Sequence, residues 1–271
     1  MPETGNNINQ NQRLVLRVGR NTLSFSVIAD TSASQLRLQP YTVRSGISMA
    51  ANLRQAFAED GLLQEGFRRA MVMLDTPTLL VPVEEFREDE AALLYRHAFI
   101  DSGGLMVLHN VLPFLNAVAV YGINKDLHMV LTDRFSDVRF ATVSQPVWMR
   151  MHQRSFTGVH HKLFGFFHDD KLDVFAFDKN RFRFANTFAT AHYKDAVYFL
   201  LYTWSQLGYD ANLDELHLSG LLPEREECLA ALRRFLRKVF VVNPVADFNR
   251  SPMTQVKGAS YDLLCYYFQN S

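Results

Sequence analysis

One order of elements occurs twice in this chain. From Leu14, apolar residues alternate through Leu16 and Val18. The turn signal Gly19-Arg20-Asn21 follows, and Leu23, Phe25 and Val27 resume the alternation. A third such stretch carries Leu36, Leu38, Tyr41 and Val43. Ser48 then caps a predicted helix with Met49, Leu53, Ala56 and Phe57 on one face. Ala70–Leu74 is a continuous apolar run, which predicts a strand buried on both faces. From Lys162 the order restarts. Strands are expected over Lys162–Phe167, Leu172–Phe177 and Phe182–Asn186, joined by the turns His168-Asp169-Asp170-Lys171 and Asp178-Lys179-Asn180. Tyr193, Val197, Leu200, Leu201, Trp204 and Leu207 make one helical stripe closed by Gly208. Leu216–Leu218 is the short buried strand, ending in Ser219-Gly220.

A meander that feeds a helix and returns to a parallel buried strand is an α/β arrangement. Its recurrence predicts duplicated halves facing each other over a cleft; the alternative is two unrelated segments sharing an order. The expected division is a disordered lead at 1–12, a first domain at 13–155 and a second at 156–271. Between the repeats, helices are expected over Glu88–Ala98, from Asn124 or Lys125 to Arg134, and over Gln145–Arg154, and strands over Leu105–Leu112, Asn116–Tyr121 and Val138–Val143. After Gly220, Pro223 is expected at the first position of a helix with Glu224, Glu226 and Glu227 in its first turn and Arg233, Arg234, Arg237 and Lys238 toward its end. Cys228, Leu229, Leu232, Phe235 and Leu236 face inward in that reading. Val239–Val242 reads as a last strand and Ser260–Phe268 as a closing helix.

Composition narrows the function classes. The 271 residues hold 28 Lys+Arg and 28 Asp+Glu, so the chain lacks the basic excess of a dedicated nucleic-acid binder. No apolar run approaches the ~20 residues that span a bilayer. Met1–Gln12 is polar and does not read as a secretory signal. Two cysteines, Cys228 and Cys265, give no disulfide framework, which points to a reducing cytoplasm.

The stretches Leu172-Asp173-Val174, Phe184-Ala185-Asn186-Thr187-Phe188, Asp195 with Tyr198, and Leu216-His217-Leu218-Ser219-Gly220 carry a resemblance that spans the second half. The first half matches in order of elements. The chain resembles the actin-like superfamily, whose halves are ribonuclease H-like domains, each a mixed sheet flanked by helices. In size it resembles the cell-division and pilus-assembly actin-like proteins. More specifically, it is similar to a domain family of unknown function from the Bacteroidetes assigned an actin-like ATPase fold. The resemblance implies that ATP and Mg²⁺ would be met by two hairpin turns, each with an Asp and Gly, Ser or Thr, and by a Gly pair on the adenosine side.

The residues at those places depart from that pattern. The first turn is Gly19-Arg20-Asn21-Thr22, with Arg17 where a strand Asp is implied. The second is His168-Asp169-Asp170-Lys171, without Gly or hydroxyl. The third is Ser219-Gly220-Leu221, with one Gly. The candidate cleft residues are therefore Arg20, Asn21, Asp169, Asp170, Ser219 and Gly220. A ribonuclease H-type nuclease needs several carboxylates around two metals, including one on the first strand. Neither Leu14–Val18 nor Lys162–Phe167 has one, and Asp75 stands alone in the first half. His160, His161 and His168 lack a partner at helical spacing for zinc. There is no G-x-x-x-x-G-K-[ST], G-x-G-x-x-G or G-x-S-x-G.

The expectation is a degenerate, non-catalytic actin-like protein acting as an interaction or scaffold module, with an unknown protein partner, no cofactor and no metal. The alternative is an ATP-binding protein using Asp169 or Asp170 with Mg²⁺. A third class is a sugar-kinase-like phosphotransferase using Asp75. Phe164, Phe166, Phe167, Phe175, Phe177, Phe182 and Phe184 crowd the second meander. They are read as core, or as a partly exposed aromatic edge for a partner.

Overall fold

The computed structural model describes residues 12–30 and 35–269. The expected lead at 1–12 falls almost wholly outside them. The strands are β1 (Arg13–Val18), β2 (Leu23–Asp30), β3 (Gln35–Tyr41), β4 (Arg69–Leu74), β5 (Thr78–Pro82), β6 (Leu105–Leu112), β7 (Ala117–Asn124), β8 (Asp137–Thr142), β9 (Lys162–His168), β10 (Lys171–Asp178), β11 (Arg181–Ala189), β12 (Glu215–Gly220) and β13 (Val239–Val241). The α-helices are α1 (Met49–Glu59), α2 (Ala91–Ala98), α3 (Lys125–Arg134), α4 (Ser144–Ser155), α5 (Tyr193–Gln206), α6 (Arg225–Arg233), α7 (Pro244–Asp247) and α8 (Tyr261–Gln269). None is long and apolar enough to cross a membrane among the described residues.

Two five-stranded sheets carry the same order. The first runs β3-β2-β1-β4-β8 and the second β11-β10-β9-β12-β13. In each, the first three strands in sequence are antiparallel neighbours, and the strand after the helix lies parallel to the first. A further parallel strand forms the other edge of each. The buried runs Leu14, Val15, Leu16 and Leu163, Phe164 supply the apolar faces that force both central strands inside. Each fully buried Leu or Phe contributes about 1.5–3 kcal/mol by leaving water.

The chain divides into two units. One holds the residues up to Val111 together with Val118–Val143 and Ser251–Ala259. The other holds Leu112–Ala117, Ser144–Arg250 and the residues from Ser260 onward. Helix α4 thus groups with the second sheet.

The pattern of the middle is richer than the sequence conveyed. Strands β5, β7 and β6 form a separate three-stranded sheet, in that order. Leu79, Val81, Val118, Val120, Leu105 and Val107 pack there with Ala91 and Tyr95 of α2. Three local expectations need correction. Helix α6 starts at Arg225, with Glu224 at φ 40° as its N-cap, so Pro223 is not its first residue. It ends at Arg233, before Arg237 and Lys238. The chain has left the helix by Phe235, which is 62% exposed, whereas Leu236 is buried. Five of the seven clustered phenylalanines, Phe164 to Phe177, are buried on the two faces of the second sheet, and Phe182 and Phe184 are half-buried. They are core rather than an aromatic edge.

Candidate functional site

The strand registers bring four of the six candidate residues to one end of the second sheet. Phe167 of β9 pairs with Gly220 of β12, and the β9–β10 turn begins at the next residue. Asp169 and Asp170 therefore sit beside Ser219-Gly220. Thr190, at the end of β11, donates its backbone N–H to Asp170 O at 2.9 Å. Two helices begin at the same end because each follows a strand that rises to it. They are α5, N-capped by His192, and α6, N-capped by Glu224. The His192 Nε2 and Glu224 Oε2 atoms lie 3.4 Å apart.

A phosphate seat at this end needs converging N–H groups that a ligand can approach. At α5 such groups are already engaged. The first turn of α5 is closed by a capping box: Lys194 N–H donates to His192 Nδ1, and His192 N–H to Asp195 Oδ2. The first turn of α6 carries Glu226 and Glu227, whose charge already answers the helix dipole. Ser219 is buried and donates its hydroxyl into the sheet, to Gly165 O at 3.3 Å. Gly220 has φ +83°, and a Cβ there would stand 2.0 Å from Phe167 O. Glycine is thus required by strand packing, whatever binds nearby. Asp169 and Asp170 both have positive φ, which makes a tight hairpin turn without glycine.

Below the turn lies a buried polar cluster. Asp173 of β10 accepts from Thr187 Oγ1 of β11 at 2.7 Å and from Ser144 Oγ at the start of α4. His168 Nε2 lies 3.2 Å from Asp173 Oδ2. Burial pushes the Asp173 carboxyl up. The neighbouring His168 charge and the hydrogen bonds outweigh burial and hold it below the usual carboxylate range. This acid joins two strands and a helix, so it is not free to orient a metal. Asp169 and Asp170 are the two acids of the turn itself. Beside them the buried Thr190 hydroxyl has no hydrogen-bond partner among the described residues.

In the first sheet the matching turn is Gly19-Arg20-Asn21-Thr22, closed by Gly19 N–H to Thr22 O at 2.8 Å. Arg17 is buried on β1, its guanidinium 3.5 Å from Thr22 Oγ1. Asp75 follows β4 and donates its backbone N–H to Val18 O. Arg20 and Asn21 thus lie in the other unit from Asp169, Asp170, Ser219 and Gly220.

A sequence model of the family described as "Protein of unknown function (DUF3822)" matches residues 3–239. The chain belongs to this family. A comparison with curated proteins found no match. Among solved structures, a Bacteroides thetaiotaomicron VPI-5482 protein described as having an actin-like ATPase fold and unknown function aligns with a TM-score of 0.81 and 27% identity. The alignment covers 93% of this chain and 98% of that one. A chain of the PilM-PilN type IV pilus biogenesis complex aligns with a TM-score of 0.60 and 10% identity, over 96% and 97% of the two chains. This DUF3822 chain has the actin-like ATPase fold.

A second cluster in the DUF3822 chain had no signal in the sequence. Asp247 of α7 is buried and accepts from Arg150 and Arg154 of α4 and, at 2.7 Å, from Tyr261 Oη of α8. Burial raises its carboxyl, and these donors outweigh that and lower it. The partners are 93 to 97 residues apart from it on one side and 14 on the other. No local spacing could reveal them. The cluster ties three helices together.

Proposed function

We propose that this protein is a non-catalytic interaction or scaffold module built on the actin-like fold. One observation supports the reading: at the turn end of the second sheet the α5 N-terminus and the Ser219 hydroxyl are engaged internally, and the α6 N-terminus is flanked by glutamates. The α5 N-terminus is closed by its own Asp195 and the Ser219 hydroxyl by Gly165, while the first turn of α6 carries the negative charge of Glu226 and Glu227. Without those groups the triphosphate has no electrostatic seat, and Asp169 and Asp170 repel it. A role in assembly suits this fold, which a chain of the PilM-PilN complex also has.

The second reading, ATP held with Mg²⁺ by Asp169 or Asp170, is supported by the unpartnered Thr190 hydroxyl beside that turn. Calorimetric titration with ATP and Mg²⁺, run beside a phosphate-release assay, decides between them. The scaffold reading expects no turnover and no micromolar binding. Micromolar binding that Asp170→Ala abolishes overturns it.

A further inference from the structure

We propose that the hollow between the end of α3 and the loop before β4 binds a small zwitterion, a molecule that joins a primary ammonium to a carboxylate or phosphate. The hollow has a volume of about 410 Å³, in the size range of small-molecule sites. One wall is Gly66-Phe67-Arg68 and the other runs from Thr132 to Ser136. Both walls are anchored. Phe67 and Phe135 are buried, and the Phe135 ring meets the Phe57 ring edge-on at 5.8 Å. Arg68 O accepts from Asp137 N–H and from Ser136 Oγ, each at 3.2 Å. Arg134 donates to Leu63 O at 3.0 Å and lies over the Phe57 ring. The walls are thus held in place without a ligand, which lowers the ordering cost of binding. The hollow lies where β4 and β8 begin, at the opposite end of β4 from Asp75.

Two charges of this hollow are left over. The charges beside it answer one another: Asp137 takes Arg13 at 2.6 Å and Arg69 at 2.9 Å, and Arg139 lies 3.8 Å from it. Arg68 and Asp133 are exposed, and their side chains make no hydrogen bond or ion pair among the described residues. Both line the hollow, yet they do not pair with each other. Opposite charges held apart across one concavity suit a ligand that carries both. On one side stand the Asp133 carboxylate and the last carbonyls of α3, which a helix end leaves without intrahelical partners. Those oxygens favour a primary ammonium, with its three N–H donors, over a quaternary one, which has none. On the other side is the Arg68 guanidinium, whose planar fork matches a carboxylate or a phosphate. An anion alone fits less well, because Asp133 and the negative end of the α3 dipole repel it. A cation alone is repelled by Arg68 and by Arg134, the other guanidinium of the hollow. This inference does not depend on whether nucleotide binds at the turns.

The test is calorimetric titration of the full chain, without nucleotide, with L-glutamate and with phosphoethanolamine. These two arms separate a carboxylate from a phosphate. Glutarate, which keeps both carboxylates of glutamate and lacks its ammonium, is the control. Saturable binding of at least one zwitterion is expected, with a dissociation constant below about 1 mM. Glutarate should bind at least about tenfold more weakly than glutamate. Arg68→Ala should weaken the zwitterion about tenfold. Asp133→Asn should also weaken the zwitterion and should tighten glutarate. That opposed response separates a two-charge site from a positive patch, where neutralising Asp133 would tighten both. Both substitutions lie at exposed positions, and circular dichroism checks that the variants fold. No saturable binding of either zwitterion up to about 10 mM overturns the proposal. So does zwitterion binding that Asp133→Asn tightens, or binding that Arg68→Ala leaves unchanged.

Discussion

The two five-stranded sheets share a skeleton and differ at their tips. The registers align them position by position. Val18–Leu74 in one corresponds to Phe167–Gly220 in the other, and Arg17–Ser24 to Phe166–Asp173. After the parallel pair, Asp75 N–H donates to Val18 O in one sheet and Leu221 N–H to Phe167 O in the other. The backbone scheme is retained while an acid becomes a leucine and a leucine a glycine. The alternation of buried apolar residues thus fixes where strands run, and the residues beyond the last buried pair are free to diverge. Chemistry at this end must be argued for each half separately, since the duplicated backbone does not carry it.

The largest difference is expected at Leu74 and Gly220. Gly220→Ala forces a Cβ against Phe167 O in a left-handed backbone. It should cost about 4 kcal/mol or more, and the variant is expected to be largely unfolded. Leu74→Ala removes buried methyls and should cost about 2–4 kcal/mol while leaving the fold intact. Chemical denaturation of both variants checks the ranking. A Gly220→Ala protein as stable as the wild type would remove the packing explanation for that glycine.

The next contrast is Asp173 against Ser24. Asp173→Ala leaves His168, Ser144 and Thr187 around a vacated buried acceptor and should cost about 3 kcal/mol. Ser24→Ala, at a half-buried position, should cost under about 1 kcal/mol. The same pair sharpens the pH dependence. The Asp173 carboxyl lies lower in the folded protein than in the unfolded chain. It therefore contributes stability that is fully present above the unfolded value, about 4, and is lost as pH falls through the folded value. Thermal melts between neutral pH and pH 3 should show a fall in stability that is shallower in Asp173→Asn. An unchanged slope would mean that Asp173 does not titrate with folding.

These clusters mark where sequence reasoning stopped. The repeat was legible because strands and helices leave periodic apolar marks, and Cys228 was placed in the core by Leu229 and Leu232 on its helix face. It is fully buried, and burial pushes its thiol up to about 11. The three-stranded sheet was not legible as a separate layer, since Leu105–Leu112 reads as a strand without saying which sheet it joins. The start of α6 was misplaced because Pro223 is a helix-start signal, whereas the structure uses Glu224 in a left-handed conformation one residue later. At the candidate site, the sequence located the turns but not their state. That Ser219 donates inward and that Asp195 closes its own helix depends on backbone direction, which residue types alone do not give.

The smallest contrast is between the helices that follow the two meanders. In the first half Ser48 Oγ accepts from Ala51 N–H at 3.2 Å and caps α1. In the second, His192 caps α5 through Nδ1, and Asp195 answers it. Serine is a strong N-cap, and its loss costs about 1 kcal/mol. The histidine cap is made by a ring nitrogen that accepts only while unprotonated. Its Nε2 side faces Glu224, in a pair exposed enough to contribute under about 1 kcal/mol. Ser48→Ala should therefore destabilise by about 1 kcal/mol at any pH from 5 to 8. His192→Ala should cost about 0.5 kcal/mol near pH 8. Asp195→Asn should weaken the box and lower the negative charge at the α5 N-terminus. If the closed cap is what denies phosphate a seat, this substitution is the one most able to admit it. Inorganic phosphate should then raise the melting temperature of Asp195→Asn more than that of the wild type. Equal shifts in the two proteins would locate the obstacle at Asp169 and Asp170 instead.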